Sequence, residues 1–162
     1  MKKVVPFILY LLLITLHEAV TRDATAIYGS VINIPALLVL LVASDKSETT
    51  SAWFGFAAGL VMAGERADIF GWYALAMAAL GVAAYHVKRW LDLESIHTRL
   101  IVIAVGVFIH NAFLLVIGHR DNLLYLLLVS GVTGAVYTTL MACVFFLIKD
   151  RKLTLSKIKD LF

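Results

Sequence analysis

The sequence predicts an all-α integral membrane protein with six transmembrane helices in a single domain covering residues 1–162, and three observations carry that prediction. Apolar residues make up 62% of the chain and charged residues 15%, whereas soluble proteins hold about 45–50% and about 25%. The apolar residues gather into six runs separated by short polar links, and mean hydropathy reaches +0.93. The lysines and arginines fall unevenly between alternate links. No link is long enough to hold a second domain, and there is no low-complexity tract.

A spanning helix needs about 20 mostly apolar residues to cross about 30 Å of hydrocarbon. The first run, about residues 4–20, follows Met1-Lys2-Lys3 and has Ala24-Thr25-Ala26 beyond it, the parts of a cleaved secretory leader. Its apolar stretch exceeds the h-region of most leaders, so the expectation is an uncleaved first helix. The second run, about 27–43, contains Asn33 and Pro35. There the proline would free a backbone carbonyl that the asparagine could help satisfy. The third, about 51–64, is short for a span. The fourth covers about 70–87, the fifth about 99–117 and the sixth about 122–148, leaving a basic amphipathic tail at 149–162.

Charge supports the short third span. With six crossings, Lys2, Lys3, Lys46, Lys88, Arg89, Arg99, Lys149, Arg151, Lys152, Lys157 and Lys159 share one side, and only Arg22, Arg66 and Arg120 lie on the other. Eleven against three is a strong positive-inside bias that places both termini in the cytoplasm. Without the third crossing the split falls to nine against five. The net charge of +3 therefore speaks for anionic lipid rather than nucleic acid as the basic residues' neighbour. Two stretches read as amphipathic: Lys88 to Leu100, with Trp90, Leu93, Ile96 and Leu100 on one face, and the tail from Leu153 to Phe162. Such segments could lie along the headgroups, remain a solvated basic tail, or dock a cytoplasmic partner.

Ionisable and amide side chains inside a membrane are costly, so each is a candidate site. His17-Glu18 falls near the outer end of the first helix, expected at headgroup depth; His110-Asn111 falls near the middle of the fifth and Asn33 within the second. Asn33, His110 and Asn111 could form a small polar pocket for a solute or proton, or simply hydrogen-bond between helices. Enzymatic patterns are missing: there is no His-Glu-x-x-His, Gly-x-Ser-x-Gly or Walker loop. His17, His86, His97, His110 and His119 show no metal-ligand spacing, and Cys143 is the single cysteine. The expectation is a protein that is not an enzyme and carries no metal or cofactor.

The most specific stretch begins at Gly55. Gly55-Phe56-x-x-Gly59-Leu60 sets two glycines four apart in an apolar segment, a pattern that lets helix backbones approach closely. Gly71-x-x-Ala74-Leu75 follows, with Gly71 eleven positions beyond Leu60 and polar Glu65-Arg66-Ala67-Asp68 between. This arrangement resembles the signature of the MreD family, bacterial rod shape-determining membrane proteins. Where that family carries an aspartate four residues after the second glycine, this chain has Ala63, and the nearest acids are Glu65 and Asp68.

The resemblance implies a non-enzymatic scaffold of the cell-elongation (rod) complex in the bacterial cytoplasmic (inner) membrane. It implies binding to MreC, a single-span periplasmic protein, and work beside MreB and the glycosyltransferase–transpeptidase pair that builds lateral peptidoglycan, so helping to maintain cell shape. Gly55, Phe56, Gly59, Leu60, Glu65, Arg66, Asp68 and Gly71 become partner-binding or helix-packing candidates, with membrane lipids and a second copy of the chain as further partners. The family is also thought to share its fold with the substrate-binding subunits of energy-coupling-factor transporters, so a solute-binding membrane subunit is the alternative. Those subunits dock through alanines spaced four apart on the first helix, where this chain reads Val4-Val5-Pro6-Phe7-Ile8-Leu9-Tyr10. A channel built around His110 is a third reading.

Overall fold

In a computed structural model, the structure describes residues 5–21, 31–64, 69–91, 95–118 and 122–149. The basic tail, the polar links around Arg22, Arg66 and Arg120, and residues 92–94 lie outside these ranges. Every regular element among the described residues is helical. The first helix, α1 (Val5–Leu16), runs into a π-helical turn at His17–Thr21. Next come α2 (Ile34–Asp45), α3 (Glu48–Met62), α4 (Phe70–Trp90) and α5 (Ile96–Ile117). The last rod begins as α6 (Leu123–Leu126), passes through π-helical Leu127–Val132 and ends as α7 (Thr133–Lys149).

Three of these are long and apolar enough to cross a membrane: α4, α5 and the continuous rod over Leu123–Ile148. Their outer surfaces are apolar, as lipid-facing helices require; Ile101, Val105 and Ile109 of α5 are exposed, as are Leu124 and Leu128 of the last rod. On α4, Trp72 and Trp90 are both exposed and stand eighteen positions apart. At 1.5 Å per residue that is about 27 Å, close to the hydrocarbon thickness at which aromatic side chains seek the two interfaces.

Helices α3 and α4 run antiparallel. Ser51 backs onto Gly81, Gly55 onto Met77 and Gly59 onto Tyr73, so α3 and α4 form a tight hairpin. Glu48 and His86 approach to 3.4 Å across its open end. Similarly, Arg99 at the start of α5 lies 5.5 Å from the ring of Phe146 near the end of α7. α1 leans on α3 through Phe7, Tyr10 and Phe54. This ordering gathers all five Lys and Arg residues within the described ranges (Lys46, Lys88, Arg89, Arg99 and Lys149) at one end of the bundle.

α2 is the core. Pro35, Ala36, Leu37, Leu38, Val39, Leu40, Val42 and Ala43 are all buried. A helix apolar all round has no solvent face and must be surrounded by others. Its start corrects the expectation of a helix from residue 27: Val31–Asn33 are not helical, and Asn33 is the N-cap. Proline is tolerated in the first turn, where its missing N–H would have had no intrahelical partner, and Asn is a favoured cap. Pro35 therefore opens α2 rather than interrupting it. At twelve residues, the helical part spans only about 18 Å.

Within the amphipathic stretch at Lys88–Leu100, Lys88–Trp90 closes α4 and Ile96–Leu100 opens α5.

Candidate functional site

The N-terminus of α2 lies inside the bundle, and three polar residues converge on it. A helix start leaves backbone N–H groups without intrahelical partners. The Asn33 Oδ1 accepts one, from Ala36, at 3.0 Å. Its Nδ2 donates to Asn111 Oδ1 of α5 at 2.8 Å. The Asn33 backbone N–H donates to Thr138 Oγ1 of α7 at 2.9 Å. That hydroxyl in turn donates to the carbonyl of Gly134, one turn back on its own helix, at 2.7 Å. Gly134 leaves the room this knot needs, since a Cβ there would stand 3.2 Å from Asn111 Nδ2 and 3.5 Å from the Val31 carbonyl.

This arrangement ties α2, α5 and α7 at one point, and each polar group in it satisfies another. Thr138 was not singled out from the sequence; the signal available was a threonine four residues after a glycine in an apolar helix, the spacing of a hydroxyl-to-carbonyl bond.

His110 is absent from this knot. It is buried on a different face of α5, and neither Nδ1 nor Nε2 has a hydrogen-bond partner. Of the two readings of Asn33, Asn111 and His110, hydrogen bonding between helices describes the asparagine pair, and the histidine stands apart from it. His110 forms part of the wall of a cavity of about 400 Å³ between α2, α4 and α5. His17 is likewise covered by protein, with Nδ1 3.4 Å from Glu18 Oε1.

The residues of the signature segment separate into four groups. A Cβ at Gly55 would stand 2.3 Å from the Met77 carbonyl oxygen, and one at Gly59 would stand 2.5 Å from that of Tyr73, so both glycines admit the backbone of α4 of this same chain. Phe56 and Leu60 are half-buried on α3. Gly71 is exposed, with nothing within 4 Å of a built Cβ. Glu65, Arg66 and Asp68 lie outside the described residues. Among the described residues no three His, Cys, Asp or Glu side chains cluster as metal ligands would. No family model, curated protein or solved structure matches the chain.

Proposed function

We propose that this chain is a non-enzymatic membrane scaffold of the bacterial cell-elongation complex, of the MreD type, which binds the membrane-anchored MreC. The supporting observation is how the buried polar groups at the head of α2 are used. Asn33, Asn111 and Thr138 are bonded to one another and to backbone, which makes them a lock between helices. A solute-binding subunit of the energy-coupling-factor type would need such groups turned toward a ligand. The signature glycines Gly55 and Gly59 shape the α3–α4 hairpin. The link between those helices leaves from Gly64 and returns at Ile69, at the end of the bundle opposite the basic residues.

In this reading all six rods cross the cytoplasmic membrane, the basic end faces the cytoplasm and the link carrying Glu65, Arg66 and Asp68 meets MreC outside. Detergent co-purification of the tagged protein from its native cell tests it. Recovery of a single-span periplasmic scaffold is expected, and a doubly reversed link (Glu65→Lys with Arg66→Glu) should lose that partner while remaining monodisperse. Recovery of a transporter subunit with cytoplasmic ATPases instead would establish the solute-binding alternative.

A further inference from the structure

The two helices of the α3–α4 hairpin differ in apolar height. On α3 the lower edge is polar: Asp45, Lys46, Ser47, Glu48 and Thr49 are all exposed. Ser47 caps the helix, its Oγ accepting from the Thr50 backbone N–H. Apolar residues then run to Gly64, fourteen positions beyond Thr50, which is about 21 Å at the helical rise. On α4 the stretch from Ile69 to Trp90 covers twenty-one positions, about 31 Å. Lys88 and Arg89 near its end have stems long enough to reach headgroups from below, and Trp90 is the kind of side chain that seeks the interface.

The whole difference falls at one end. Ser51 lies against Gly81, Gly55 against Met77 and Gly59 against Tyr73, so each step forward on α3 is a step back on α4. Gly64 and Ile69 therefore stand at nearly the same height. At the basic end Glu48 comes about level with Ala84 and reaches His86, six positions short of Trp90, or about 9 Å. Trp53 shows what this means for the surrounding lipid. It is 69% exposed and heads the outward face of α3, with Phe56, Ala57 and Leu60 behind it. The register sets it level with Ala79, midway along α4, yet only three positions from Thr50.

We propose that the bilayer is thinned beside α3, its cytoplasmic surface drawn in by about one and a half helical turns to meet Glu48–Thr50, while α4 stands in hydrocarbon of ordinary thickness. The alternative would hold an exposed carboxylate and several hydroxyls inside hydrocarbon, where each lacks partners. A glutamate stem is too short to escape as lysine does, whereas thinning spreads a gradual cost over many lipids. The surface thus fits lipids with short or loosely ordered chains. This inference rests on α3 crossing the membrane, as the scaffold reading has it.

The test places the full-length protein in phosphatidylcholine vesicles whose chains carry bromine either near the headgroup or near the chain end. With Trp72→Phe and Trp90→Phe, Trp53 is the one remaining tryptophan. Its fluorescence should be quenched more by the shallow bromines than by the deep ones. Adding Trp53→Phe and Ala79→Trp should reverse that order, although the two positions are level in the bundle. Should these backgrounds not be monodisperse, the difference between the unaltered protein and Trp53→Phe gives the same ratio for Trp53. In parallel, Gly64→Cys in a Cys143→Ala background should react with a membrane-impermeant maleimide added outside right-side-out vesicles. Deep quenching of Trp53 together with outside labelling of Gly64→Cys would overturn the thinning and leave the six-span reading standing. Absence of quenching by either lipid would overturn it too, because protein would then cover the face. Failure of Gly64→Cys to react from outside would overturn both, since α3 would not cross.

Discussion

Asn33 engages its backbone N–H, its carbonyl and both ends of its amide: Thr138, Leu37, Ala36 and Asn111 are the partners. Replacing it with alanine removes an N-cap, about 0.5–2 kcal/mol, and takes from the half-buried Asn111 Oδ1 the donor it accepts from, about 0.5–1.5 kcal/mol. A double-mutant cycle on Asn33→Ala and Asn111→Ala, read by thermal melting in detergent, should give a coupling near 0.6 kcal/mol, the average for interhelical bonds in membranes. Strict additivity would mean that the amides do not meet. His110 is expected to behave oppositely. Because its nitrogens have no hydrogen-bond partner in the bundle, His110→Leu should leave the melting temperature unchanged or raise it. A marked fall would reveal a bond that this arrangement lacks.

Helix contacts are decided by where the chain has no side chain. Gly55, Gly59 and Gly81 all meet carbonyl oxygens of the facing helix at distances that no real Cβ could occupy. Dispersion contacts between the two backbones then accumulate without help from water, which is absent from the hydrocarbon. Gly55→Ala has to push α4 away as a unit, because the obstacle is backbone and not a side chain that can rotate. The expected loss is toward the upper part of the usual overpacking range of about 1–3 kcal/mol, measured as the fraction folded in a detergent-denaturation series. Gly71→Ala, in the open first turn of α4, should leave stability unchanged or slightly improved, since alanine only restricts the unfolded chain. The glycines of the signature segment are thus unequal, a distinction their spacing could not make. Equal losses from both substitutions would contradict the hairpin described here.

The described residues form a bundle with many large apolar side chains on its outer surface and all of its lysines and arginines at one end. Lys46, Lys88, Arg89, Arg99 and Lys149 come together there because the rods alternate in direction. The topology this supports is testable link by link. Reporter fusions after Ser47, Trp90 and Phe162 should be active for a cytoplasmic reporter, and fusions after Gly64 and Gly118 for a periplasmic one. A cytoplasmic signal at Gly64 would mean that α3 does not cross, and the six-span topology would fall.

Composition and periodic runs were enough to determine an all-helical chain with apolar exteriors and to locate α4, α5 and the last rod within a few residues, because a membrane imposes length and hydropathy directly on sequence. The polar residues worth attention, Asn33, His110 and Asn111, were legible for the same reason: each is expensive in hydrocarbon wherever it points. Their grouping was not. Adjacent positions on a helix point about 100° apart, so His110 and Asn111 face different neighbours, and only the packing of α2 against α5 and α7 decided that one asparagine finds the other. The start of α2 was equally hidden, because an apolar run reads alike whether its first residues are helical or not; Asn33 and Pro35 acquire their meaning as cap and first turn only where the chain enters the bundle. The space between α2, α4 and α5 beside Ala79 and Ala83 belongs wholly to the tertiary structure, since small residues close a gap or leave one according to what the facing helix places opposite them.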